Sequence, residues 1–361
     1  MPNNNSSINL FDTYTMTALV EEVTPVPSFF KDRFFRTGEE DIFSTQKVLI
    51  EVADGDAQMA PIVARSVGDI PVERGGYTVH ELAPAYVGVS RPLTADDLEQ
   101  RGFGEALFTG TDPAKRAARL MLRDFARLDA RITRREEWLA VQTMMNNACE
   151  MQEYVDANTM GDKAFLCYYE DKNEHKYILG EAWTMNTSAK VIFDDIIAMC
   201  EKLTDRGLPA EDLVIGANIA SIFRHHSEIS KMLEKTSGVI VGEINETRYP
   251  GATRMGVLNF GGHELTIWNV NESYMDAEKV LHKYFPVNGI MVSAPNCGCM
   301  KYGAITQKEH GAAPEAWFTR TGKRIPKLKV DVNNDAQSLR LACKPLPVPR
   351  NRTPWIFAVN E

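Results

Sequence analysis

From Ala114 to Asn147 the chain contains neither glycine nor proline, and the run opens on Asp112-Pro113, an N-cap residue followed by proline at the first helical position. A helix of that length makes a rod of roughly 50 Å, longer than an ordinary domain is wide, so the fold has to be organised along it as a spine. Ala114, Ala118, Met121, Phe125, Leu128, Ile132 and Leu139 recur at steps of three, four or seven and predict one buried stripe. Arg119, Arg123, Arg127 and Arg131 recur every four residues on the opposite side, with Asp124, Asp129, Glu136 and Glu137 among them. That side reads in two ways. It is a solvated face held by intrahelical ion pairs of a few tenths of a kcal/mol each, or a contact surface for another subunit, where arginine's planar fork is favoured.

Before the spine, Met16 to Val23 and the break Pro25-Val26-Pro27 suggest an arm. Phe29, Phe30, Phe34 and Phe35 then place most of their rings on one side of a short helix and predict an anchor for that arm on the core. From Thr45 to Ser90, alternation around Val48–Val52 and Tyr77–Val79 predicts strands, separated by Asp54-Gly55, Gly68-Asp69, Pro71 and Gly75-Gly76. A two-stranded ribbon is marginally stable alone, so it is expected to lean on something else, such as a neighbouring subunit.

After the spine, Phe165–Tyr169 and Lys176–Leu179 predict two strands joined by the polar turn Glu170–His175. Lys190–Thr204 predicts a helix, Leu213–Ile215 a strand, and Ile219–Lys235 a further helix. Met255–Phe260 and Glu264–Val270 flank Gly261-Gly262 as a hairpin. Strand-like runs and Pro345, Pro347 and Pro349 close a mixed α and β chain without internal repeats.

The formal net charge of −9 over 361 residues argues against a surface that grips nucleic acid throughout, because such binding relies on cations displacing phosphate counterions. Arg320 to Arg352 is nevertheless locally basic, which suits a nucleic-acid-facing or acid-binding surface, a solvated face or salt bridges to neighbouring subunits. No apolar run reaches the roughly 18 residues of a membrane span, and Met1–Asn9 lacks a signal-like layout, so a cytosolic protein is expected. The six cysteines are too sparse for a disulfide framework and read as free thiols.

Catalytic signatures fail on particular residues. Gly102-Phe103-Gly104 is followed by Leu107 where a dinucleotide loop needs glycine, and Gly251–Gly256 by Val257 where a phosphate loop needs lysine. Cys297-Gly298-Cys299, with His282 and His310, holds soft ligands for zinc, but at a shorter spacing than usual and without a second cysteine pair. No catalytic, cofactor-binding or metal residue is assigned; the competing reading is a cytosolic metal-dependent enzyme using Cys297 and Cys299.

The order of parts resembles the lambda-type major capsid protein family of tailed phages. The local matches are Phe29 to Phe35, Ala60-Pro61-Ile62-Val63, Arg74-Gly75-Gly76, Leu82 to Val87, Thr111-Asp112-Pro113, Lys115 to Ala118, Glu136-Glu137 and Tyr302-Gly303. The resemblance implies an α+β fold of the Hong Kong 97 type. Its parts would be an N-terminal arm and aromatic anchor (1–36), an extended β loop (45–90), a peripheral domain (91–183) with the spine helix at 114–147, an axial α/β domain (184–295), and C-terminal strands (296–361) returning to the peripheral domain. It further implies an icosahedral shell of hexamers and pentamers around double-stranded DNA bound without sequence specificity. Scaffold, portal and decoration proteins would be partners, with no cofactor, no membrane, assembly in the host cytoplasm and a final place in the virion. Arg119, Arg123, Arg127, Arg131, Arg74, Gly75 and Gly76 are the expected subunit-interface residues. Encapsulin-like compartments resemble phage capsids in fold and give a further alternative.

Overall fold

The computed structural model describes residues 26–45, 47–53, 77–99, 113–154, 160–168, 174–236, 249–308, 315–331 and 336–361. The expected arm over Met16–Val23 and the tip of the expected ribbon lie outside the described residues. In chain order, helix α1 (Phe29–Phe34) and strand β1 (Phe35–Arg36) precede a ribbon of β2 (Val48–Ala53) and β3 (Tyr77–Leu82), then β4 (Val87–Thr94) and the short α2 (Ala95–Glu99). The spine α3 (Pro113–Asn146) leads into the hairpin β5 (Ala148–Tyr154) and β6 (Met160–Cys167). Next come α4 (Ala189–Thr204), β7 (Asp212–Gly216), α5 (Ala217–His225), α6 (Ser227–Thr236), β8 (Ala252–Phe260), β9 (His263–Val270), β10 (Ser273–Met275), β11 (Leu281–Lys283) and β12 (Gly289–Ser293). The rest is β13 (Gly298–Tyr302), β14 (Ile305–Gln307), β15 (Phe318–Arg320), β16 (Ile325–Asp331), β17 (Ala336–Cys343), β18 (Pro345–Pro349) and β19 (Trp355–Val359).

The spine forms where expected, and it stops because Asn147 turns into the left-handed region at φ 50°, a conformation asparagine tolerates better than most residues. Leu128, Ile132 and Leu139 are buried along it as the spacing predicts. Phe125 is not: it is 36% exposed, and Leu122 is 74% exposed, whereas Asp124 between them is buried against Arg91 of β4. Toward its C-terminal end Ala140, Val141, Thr143 and Met144 are buried as well, so the apolar stripe widens there.

The central sheet runs β19-β12-β7-β9-β8, with only β7 and β9 parallel among its pairs. Successive side chains on a strand point to opposite faces, and here both faces are covered. Val214, Trp268, Val270, Met291, Trp355 and Phe357 join the core beneath the spine and α1. Leu213, Ile215, Leu265, Ile267, Ile290, Val292 and Ile356 join a second core under α4, α5 and α6. The sheet is therefore the wall shared by two cores. Strand β19 edges this sheet, whereas β13 and β18 pair with each other beside β1, and β17 lies between β16 and β4. Residues 296–361 thus do not travel together to one place.

The glycine hairpin is present: Gly261 and Gly262 have φ of 57° and 84°, as a two-residue turn matching strand twist requires. Two expectations are corrected. Phe165 to Tyr169 does not pair with Lys176–Leu179; β6 returns against β5, and Lys176 instead makes a bridge to Phe357. The single helix over Ile219–Lys235 is two, because His226 is extended (φ −72°, ψ 118°) and its imidazole bonds the carbonyl of Thr187, trading helical continuity for a buried tertiary contact.

Candidate assembly interface and its anchor

Helix α1 has six residues, too few to be stable alone, and draws its stability from burial. Phe29, Phe30, Phe34 and Phe35 are all buried, with ring centroids 5.2 Å from Trp268 for Phe29, 5.8 Å from Phe285 for Phe30 and 5.8 Å from Trp355 for Phe35. The aromatic anchor expected from the sequence is in place on the core. Burying such a ring is worth about 1.5–3 kcal/mol.

Ser28, at the N-cap of α1, makes no side-chain cap bond; the cap comes from the spine. The Glu137 carboxylate accepts the backbone N–H groups of Phe30 (2.8 Å) and Lys31 (2.9 Å), two of the donors a helix start leaves unpaired. Burial pushes its pKa up to about 7, against the pull of these two N–H groups. Next to it, Glu136 accepts from Lys31 Nζ (2.6 Å), the Tyr302 hydroxyl (3.0 Å) and both terminal nitrogens of Arg324. Burial alone would raise the Glu136 pKa, but Arg324 and Lys31 outweigh it and hold the group below the usual glutamate value. Arg324 also reaches Asp129 and Thr133 Oγ1 on the same helix. On the other side of α1, Arg33 donates twice to the buried Asp212, at 3.0 Å each, and Asp212 also accepts from Trp268 Nε1 at 2.8 Å. A six-residue helix is thereby riveted to both the spine and the central sheet.

These contacts correct the reading of the spine's acids as surface partners of its arginines. Glu136 stands four residues after Ile132, on the apolar stripe itself, and Glu136 and Glu137 are buried. Asp124 turns to Arg91 of β4 (3.0 Å), and Asp129 to Arg324. Of the expected interface residues, Arg123 is half-buried with its Nε unpartnered among the described residues, while Arg127 and Arg131 are exposed. The side chain of Arg119 and all of Arg74, Gly75 and Gly76 lie outside the described residues.

The sequence reading missed the roles of Arg324, Lys31 and Asp212. A usable signal existed in Glu136-Glu137, two adjacent acids set directly before the apolar run Trp138-Leu139-Ala140-Val141. Cys297 and Cys299 are buried beside β18, and burial raises both thiols, Cys299 to about 11. His282 lies against Asp276 at 2.6 Å, and His310 is outside the described residues. Among the described residues no cluster of three or more His, Cys, Asp or Glu is arranged to hold a metal.

The ribbon pairs in register from Val48–Leu82 to Ala53–Tyr77. At its base Val48 is buried in a small core with Leu139, Cys149, Tyr168, Cys299, Leu346 and Val348.

The family model for phage major capsid protein E matches residues 12–360. The chain belongs to that family. In fold, this major capsid protein is similar to a prophage capsid protein of E. coli CFT073, with a TM-score of 0.60 at 17% identity, covering 96% of this chain and 97% of that one. It is also similar to the capsid of Ralstonia phage GP4, with a TM-score of 0.50 at 10% identity, covering 95% and 93%. No curated protein matches it significantly in sequence. The fold is the Hong Kong 97 type, and the capsid protein is a shell-forming structural protein of the virion. No described helix is long and apolar enough to cross a membrane.

Proposed function

We propose that this capsid protein forms an icosahedral shell of hexamers and pentamers around double-stranded DNA without sequence-specific contacts, and that it does so without catalysis or a cofactor. Residues 45–90 serve as the extended loop lying over a neighbouring subunit. Residues 91–183 form the peripheral domain around the spine, and 184–295 the axial domain, to which Trp355–Val359 adds an edge strand. Arg123, Arg127 and Arg131, with Arg119 and the segment Arg74-Gly75-Gly76, face neighbours in the shell. Assembly takes place in the host cytoplasm with scaffold, portal and decoration proteins.

The observation that carries the reading is the ribbon β2–β3, an isolated two-stranded sheet whose base is buried in the body. Such a ribbon gains stability when a second surface covers it, and a closed symmetric shell multiplies weak contacts of this kind. Deleting Asp54 to Gly76 is expected to leave soluble subunits that no longer make stable shells. Negative-stain electron microscopy and light scattering read the result, and normal particles from the deletion would remove the ribbon from the assembly mechanism.

A further inference from the structure

A cavity of about 320 Å³ opens where the loop at Ser44, Tyr86 ahead of β4, the β14–β15 hairpin and the end of β17 meet. Two cations line it, Arg340 and Lys344, together with the hydroxyl-bearing Ser44, Tyr86, Thr306 and Thr319, and among the described residues no acidic one does. Arg340 gives one terminal nitrogen to Gln307 Oε1, while its Nε is buried without a hydrogen-bond partner among the described residues. Buried unsatisfied donors are rare in native proteins and ask for a missing acceptor. Lys344 is half-buried, and burial holds its ammonium below the usual lysine range. The Thr306 and Thr319 hydroxyls lie 3.0 Å apart, so one donates to the other and the remaining O–H is left to donate elsewhere. Two cations and a ring of donors, with no acceptor of matching charge, describe a receptor for an oxyanion.

We propose that this cavity receives an Asp or Glu carboxylate from a second copy of the chain, forming an ionic contact between subunits of the shell. A carboxylate is favoured over a phosphate because the copies that surround each subunit are acidic, with 49 Asp and Glu against 40 Lys and Arg. The inference rests on the shell reading and names one of its contacts.

The test is zero-length carbodiimide coupling of particles assembled from equal amounts of ¹⁴N- and ¹⁵N-labelled subunits. Coupling joins Lys344 Nζ to a carboxyl carbon as an amide, and the carbodiimide takes up the water as its urea. Mass spectrometry should find Lys344 joined to an acidic peptide carrying the other label, equally in DNA-free and DNA-filled particles. Lys344→Met should lose that product while keeping the wild-type thermal midpoint, and should need a roughly tenfold or higher subunit concentration to assemble, as expected for a lost charge-assisted hydrogen bond. Lys344→Arg should restore assembly. Intact particles with Lys344 uncoupled, or coupled only within one label, would overturn the proposal and leave the shell reading standing. Protection of Lys344 only in DNA-filled particles would make the site a phosphate site and overturn it too. Absence of wild-type particles both from purified subunits and in cells that supply the scaffold would overturn both.

Discussion

Glu136 and Glu137 are neighbours in sequence with opposite electrostatic situations. Glu136 is held ionised by Arg324 and Lys31, so its folded pKa is depressed; the stability it contributes is present above the unfolded value of 4.5 and is lost as pH falls below it. Glu137 has its pKa raised to about 7, so its contribution is complete below 4.5 and is lost as pH rises through about 7. The two therefore act in separate windows. Glu137→Gln keeps one acceptor for the α1 N–H groups and cannot ionise. It should cost about 1–2 kcal/mol at pH 4.5, and the gap to wild type should narrow between pH 4.5 and 8 in urea titrations. An unchanged gap would show that the Glu137 carboxyl does not titrate in that range. Arg324→Met leaves Glu136 buried without its bidentate partner and should cost about 3–5 kcal/mol by the same measurement, far more than any exposed ion pair.

Among the elements, α1 converts a short aromatic run into the joint between spine and sheet. Phe30→Ala should cost about 3–5 kcal/mol, because the site is closed by Phe34, Phe285 and the Glu137 cap and has little room to collapse. Measured unfolding free energy checks this; a loss below about 1 kcal/mol would mean that the helix docks only loosely. The spine, the glycine hairpin and the aromatic anchor were legible in the sequence, because each rests on local periodicity or turn chemistry. Glu137 and Phe30 are 107 residues apart, and Arg324 and Glu136 are 188 apart, so no local pattern could join them. The β5 partner of β6 was missed for a related reason. Ala148–Tyr154 follows the helix with only Asn147 between them and does not alternate cleanly, and a reading by period runs past it. The split at His226 was hidden because the apolar spacing continues across it, and only the bond to Thr187 distinguishes the break.

At the scale of the whole molecule, a sheet whose two faces belong to two cores leaves no independent place to begin melting. Substitutions on either side, Ile192→Ala on α4 or Met291→Ala beneath the spine, should each cost about 2–5 kcal/mol and lower one common calorimetric transition of the unassembled subunit. Two separated transitions would show that the cores unfold independently. The position of β19 has a further consequence. Its partner β12 lies more than sixty residues earlier in the chain, and the central sheet lacks this edge until Trp355–Val359 has been made. At about 5–20 residues per second, roughly 15 to 65 s separate synthesis of α1 from that of β19. A nascent chain therefore presents its central sheet without that edge strand until Trp355–Val359 has left the ribosome.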